Sequence, residues 1–253
     1  LTPEVREPQP IRDLIFEGLL YTFRDHRLRT LFLLEVVTAA FGIAYLPLLP
    51  AVVEQILQAE PAAGLSGPAL KQYEAIVKQG LGHAYTAVGV GALSGLLLVT
   101  HLSDSNRKGT LIRVAMWTLG IGLPLITIVQ SPWIGYPLLA AMGMAAIVQF
   151  NTTNALFQLL APERLRGRVL AMHIWALNGL SPFGVMLFGW LARSTRSDDV
   201  LEVGRAAFAV PQGGVALSMQ VGGVIMLIGA IAASLSRNGL SNLRPAKEEA
   251  AGP

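Results

Sequence analysis

Six runs of apolar residues, each long enough to cross a bilayer as a helix, fix what this chain can become. They fall near residues 30–57, 83–103, 111–130, 133–158, 169–192 and 213–236. A hydrocarbon core about 30 Å thick takes roughly 20 apolar residues at the helical rise of about 1.5 Å per residue. A barrel would instead show segments of about ten residues alternating apolar and polar. TLGIGLPLITIVQ and VGGVIMLIGAIAASL do not alternate, so the spans are helices. With 53% of the 253 residues hydrophobic and 14% charged, the chain is too oily for a soluble domain. The expected class is an all-α membrane protein: a cytoplasmic linker at 1–27, a six-helix transmembrane bundle at 28–236 and a cytoplasmic tail at 237–253.

The cations orient those spans. Of the 19 Lys and Arg, 14 lie in residues 1–30, 101–113, 161–168 and the tail, and five lie in 59–82 and 193–211. Cytoplasmic loops carry the excess of Lys and Arg, so both termini of this chain are expected in the cytoplasm of a plasma membrane. The net charge of +3 is then a matter of topology, and no nucleic-acid partner is needed to explain it. Cys is absent, which excludes disulfides and thiolate metal sites. No His pair has metal-ligand spacing, no Ser, His and Asp set suggests hydrolysis, and GVGALSG lacks the Lys of a phosphate loop. A non-enzymatic protein without a cofactor is expected.

The start, LTPEVREPQP, lacks the pattern of a signal peptide and reads as a Pro-rich leader. In the following IRDLIFEGLLYTF, helical spacing puts Ile11, Leu14, Ile15, Gly18, Leu19 and Thr22 on one face and turns Arg12, Asp13 and Glu17 away from it. Two roles are open to this amphipathic helix, a surface anchor or a linker from an upstream segment. Between the first two spans, residues 58–82 include Leu70, Tyr73, Ile76 and Val77 at helical spacing. This stretch either extends the second helix outward or caps a pathway.

Two charged segments stand against the apolar background. HLSDSNRKGTLIR, residues 101–113, joins the second and third spans, with Asp104 where the second helix ends and Arg107 and Lys108 close behind. An Asp near the positive end of a helix, with cations in reach, can act as a latch, and a plain basic turn would have the same composition. In the second segment, 151–192, Asn154 precedes Pro162-Glu163-x-x-Arg166-Gly167-Arg168 and a Gly- and Pro-containing helix. Pro162 is expected to end one helix, Glu163 to cap the turn, Gly167 to bend the backbone, and Arg166 and Arg168 to face the cytoplasm. Gly91 and Gly95, four apart in GVGALSGLLL, suit close helix packing.

Leu102, Asp104 and Lys108 match the signature loop of the major facilitator superfamily in its copy between helices 8 and 9, although Thr100, Ser105, Arg107 and Gly109 depart from it. Residues 151–192 resemble helix 10, its loop and helix 11 in the exporter branch that includes enterobactin and macrolide exporters. The resemblance covers about 30–236. It implies the C-terminal half of a twelve-helix fold, a missing N-terminal six-helix half as partner, and efflux of a small-molecule substrate such as a siderophore or drug by alternating access, with the proton as coupling ion. A membrane scaffold or an intramembrane enzyme is the alternative.

Polar residues within the spans are the site candidates, because a charge at the bilayer centre costs about 2.5–3.5 kcal/mol on insertion scales and belongs against protein or water. They are Glu35, about a turn inside the first span, Asn151 and Asn154 with Gln158 on the fourth, and Asn178 one turn before Pro182 on the fifth. The resemblance places them along or beside a central cavity. Each Asn can equally form an interhelical hydrogen bond. Glu35 can exchange a proton with the cytoplasm or pair with Arg27 or Arg29 at the interface. His101 and His173 read as snorkelling or loop-bonded residues before proton relays.

Overall fold

Asp25 separates the linker from the first span. Its carboxylate accepts from the Arg27 and Leu28 backbone N–H groups at 2.8 and 3.1 Å, satisfying two of the four donors a helix start leaves open. On either side lie α1 (Ile11–Arg24) and α2 (His26–Val37) in the computed structural model, which describes residues 11–59, 65–102, 107–194, 201–203, 206–208 and 214–235.

The first span is not one helix, although its hydropathy is continuous. α2 passes into a π-helical turn at Thr38–Gly42, then a 3₁₀ turn at Leu46–Leu48, before α3 (Leu49–Ile56). Pro47 and Pro50 have no N–H to give to a helical ladder, which interrupts the regular bonding there. Irregular backbone at membrane depth is tolerated where protein covers it. Ala39, Gly42, Ala44 and Tyr45 are buried accordingly.

The second helix, α4 (Gly67–His101), begins well before the apolar run near 83 and is about 50 Å long by its rise. Residues 67–82 therefore extend it, with Gly80 and Ala84 buried and Gly80 set against Val53 and Leu57. The remaining spans are α5 (Lys108–Ile126), α6 (Pro132–Leu160), α7 (Arg166–Ser194) and α8 (Gly214–Leu235). Between the last two, β1 (Leu201–Val203) pairs antiparallel with β2 (Ala206–Phe208), a short hairpin among described elements that are otherwise helical. Among the described residues, six helical segments are long and apolar enough to cross a membrane, as the hydropathy predicts.

The tightest seam joins α4 to α6. A side chain at Gly91 would run into the carbonyl of Ala140, and one at Gly143 into that of Val88. At Gly95 the Met144 carbonyl oxygen lies 2.7 Å from where a Cβ would sit. Small residues let the two backbones approach, which is how membrane helices gain packing contact without a hydrophobic driving force. At the far end, Gln55 donates to the Ile126 and Val129 carbonyls (3.2 and 3.0 Å) and Gln58 to Gln130 (2.7 Å), tying α3 to the end of α5. The core of Leu28, Leu31, Leu119, Phe157 and Met226 fills the centre. By contrast, only 17% of the apolar window of α4 and of α7 is buried, against 39–50% in the other spans.

Candidate functional site

At the basic end of the bundle, the linker helix docks on the turn between α6 and α7. Glu17 reaches Arg164 at 2.8 Å and also pairs with Arg168, and Gly18 lies against Arg168. Thr22, fully buried, donates to the Gly18 carbonyl at 2.8 Å. The buried face thus runs through Gly18 and Thr22 as expected, but Glu17 is a docking residue. Phe16, Leu20 and Phe23 form a second, exposed apolar set beside that face. Gly167 does not bend the chain: it is the second residue of α7, and the only glycine with positive φ among the described residues is Gly67. The turn is made by the Leu165 N–H donating to the Pro162 carbonyl at 2.9 Å. Glu163 is exposed on that turn and Arg107 is exposed just before α5, while Asp104 lies outside the described residues.

Because Glu17 is about one-third exposed and Arg164 largely so, the clamp is a surface network worth about 1 kcal/mol or less per pair. Glu17→Gln should lower thermal stability by no more than a few degrees while speeding proteolysis at Arg24 at least twofold. Unchanged cleavage would show that α1 docks without it.

A cavity of about 470 Å³ opens beside this turn, lined by Leu102, Lys108, Asn151, Asn154, Gln158 and Arg166 among others. Two cations and three amides line it, and among the described residues no carboxylate does. Gln158 donates to Asn154 Oδ1 at 3.3 Å, and Asn151 donates to the Ile147 carbonyl at 3.0 Å. Asn178 is elsewhere, on the exposed face of α7, where it donates to the Ile174 carbonyl at 3.1 Å.

Glu35 occupies a third place. It is fully buried, so the interface pairing with Arg27 or Arg29 is not what the fold makes. His173 of α7, 1% exposed, is its neighbour, with Nδ1 3.8 Å from Oε1, and snorkelling is excluded for that ring. Phe150 and Phe157 of α6 pack on the imidazole with ring centroids 5.2 and 5.4 Å away. Thr153 lies beside the carboxyl on the same helix without reaching hydrogen-bond geometry. Among the described residues, every buried side-chain N or O that lacks a protein hydrogen-bond partner belongs to Glu35, Gln149, Thr152, Thr153 or His173. A buried polar atom left with no partner of any kind costs about 1–3 kcal/mol. Thr152 also borders the cavity, beside Asn151 and Asn154.

The family model for transmembrane secretion effectors matches residues 4–224. The chain belongs to that family, a group of major facilitator type. No curated protein and no solved structure matches it. As a transmembrane secretion effector the chain is an integral membrane protein of the transporter class. The signal for its buried cluster was present in the sequence: Gln149, Thr152 and Thr153 are spaced i, i+3, i+4 and share one face of α6, while Asn151, Asn154 and Gln158 share the opposite one.

Proposed function

We propose that this transmembrane secretion effector is the C-terminal half of a secondary-active exporter of the enterobactin and macrolide exporter type. It carries a small amphipathic molecule, such as a siderophore or drug, out across a bacterial inner membrane against proton entry. The observation that carries this reading is the buried Glu35–His173 pair, a carboxyl retained in the interior of a membrane bundle that also holds an amide- and cation-lined cavity. Intramembrane carboxyls mark ion pathways, and rocking of one half against another around such a site gives alternating access. The poorly covered α4 and α7 support an upstream six-helix half as the partner, with Asn178 on the face that half would meet. Arg166 at the cavity favours substrates with an acidic group.

The test is export from proteoliposomes holding the full-length transporter under an imposed proton gradient. Export should stop when an ionophore collapses the gradient; export that continues refutes proton coupling. This half alone should insert without transporting, and robust export by the isolated chain would refute the need for a partner.

The distribution of Lys and Arg supports cytoplasmic termini. A reporter fused after Lys247 should be cytoplasmic and one inserted near Gly67 external, and reversed labelling would overturn that orientation.

A further inference from the structure

We propose that Glu35 and His173 form one proton-binding site whose occupancy seals α2 against α7, so that the proton gates the conformation as well as driving it. The inference rests on the exporter reading and names the group that carries its coupling. Three observations place it. The two side chains come from different helices, are each 1% exposed, and face one another at 3.8 Å. Their four polar atoms have no protein hydrogen-bond partner. The backbone loses its regular helical bonding three residues after Glu35, at Thr38, and α7 touches that irregular turn where Gly184 meets the Ala40 carbonyl. A proton site thus sits beside a joint.

The surroundings leave the pair to balance its own charge. α6 carries no charged residue and only Tyr136, at its other end; α8 and the Thr38–Gly42 turn carry no titratable group. On α7 the nearest cations are Arg166 and Arg168, five or more residues toward the basic end, and Arg168 is engaged by Glu17 of α1. On α2 the nearest are Arg29, Arg27 and His26, six or more residues away, and α1 meets the α6–α7 turn at Arg164 and α7 at Arg168. His83 and His101 belong to α4.

With one shared proton the pair has no net charge, whether as carboxylic acid and imidazole or as carboxylate and imidazolium. Loss of that proton to water leaves a buried carboxylate beside an imidazole that Phe150 and Phe157 pack against, a state that only hydration or a new partner relieves. The sealed arrangement therefore binds the proton more tightly than the open one. By linkage, acid favours sealing and rising pH favours opening.

The test exploits the absence of Cys. In the full-length transporter, with any cysteines outside this chain replaced, Ala176→Cys puts a thiol on a fully buried position one turn after His173. Its labelling by a small maleimide should rise at least fivefold between acid and alkaline pH. Glu35→Gln, neutral at every pH, should hold labelling at the low level throughout, and His173→Gln should displace the pH at which labelling changes. Infrared difference spectra provide a second readout that does not depend on opening. A carboxylic C=O band that Glu35→Gln removes should shift in His173→Gln, and a band or labelling curve unchanged by His173→Gln overturns the pairing. If these responses appear but export ignores the proton gradient, the exporter reading falls and the proton site stands. If export follows the gradient and His173→Gln changes neither readout, the site falls and the exporter reading stands.

Discussion

Gly91→Leu is expected to break the α4–α6 seam, and Gly89→Leu, two residues away, is expected to be harmless. At Gly91 a Cβ would meet the backbone of α6 at the Ala140 carbonyl, whereas at Gly89 it meets nothing within 4 Å. Overpacking that side chains can absorb costs about 1–3 kcal/mol. A carbonyl held in a helix cannot turn aside, so the two helices must separate, and contacts at Gly95 and Gly143 are lost with them. The expected loss lies at or above the upper end of that range. Gly89→Leu removes a glycine from a helix interior, which is worth up to about 1 kcal/mol of propensity. Thermal unfolding in detergent, followed by gel filtration, should show Gly91→Leu aggregating or melting more than 10 °C early and Gly89→Leu at or slightly above the parent. Equal melting of Gly91→Leu and the parent would show that the seam is not packed this closely.

Much of this architecture was legible because membrane helices announce themselves through length and hydropathy. The helix pair at Gly91 was legible from spacing as well. What hydropathy conceals is continuity: the first span is uniformly apolar from Leu31 to Leu57 apart from Glu35, Thr38 and a few residues near its end, yet its backbone changes from α to π to 3₁₀ within twelve residues. Pro47 and Pro50 are visible in sequence, but the π-helical turn at Thr38–Gly42 precedes them and is set by packing against α7 and α8. The polar residues show a similar limit. Sequence identifies Glu35, Asn151, Asn154 and Asn178, but not that they fall in three different places. Which face of a helix meets which neighbour depends on rotation about its axis, and no local pattern fixed that of α7. His173 therefore reads in sequence as a snorkelling or loop-bonded residue, although a buried carboxyl on another helix is its neighbour.

That juxtaposition has a thermodynamic signature which separates a proton site from an accident of packing. His173→Phe alone is expected to destabilise the full-length transporter, because it strands Glu35 in a dry interior. Breaking a buried pair by removing one partner costs about 3–5 kcal/mol, less whatever the survivor recovers by becoming neutral. Glu35→Leu alone is expected to cost less than His173→Phe, since an imidazole can remain neutral without a partner. The double variant Glu35→Leu with His173→Phe replaces both by apolar groups and should regain most of the loss, approaching or exceeding the parent, as replaced buried pairs often do. Its coupling energy in a double-mutant cycle should be at least about 1 kcal/mol, which contact between the two residues requires. Export driven by the proton gradient should nevertheless fall at least tenfold in the double variant. A well-folded double variant that still exports at the parent's rate would assign Glu35 and His173 to packing alone. One in which the two losses simply add would show that the side chains do not act as a pair. The expected combination, recovered stability with lost export, is what a group retained for proton transfer predicts, because the fold bears its burial and gains no stability from it.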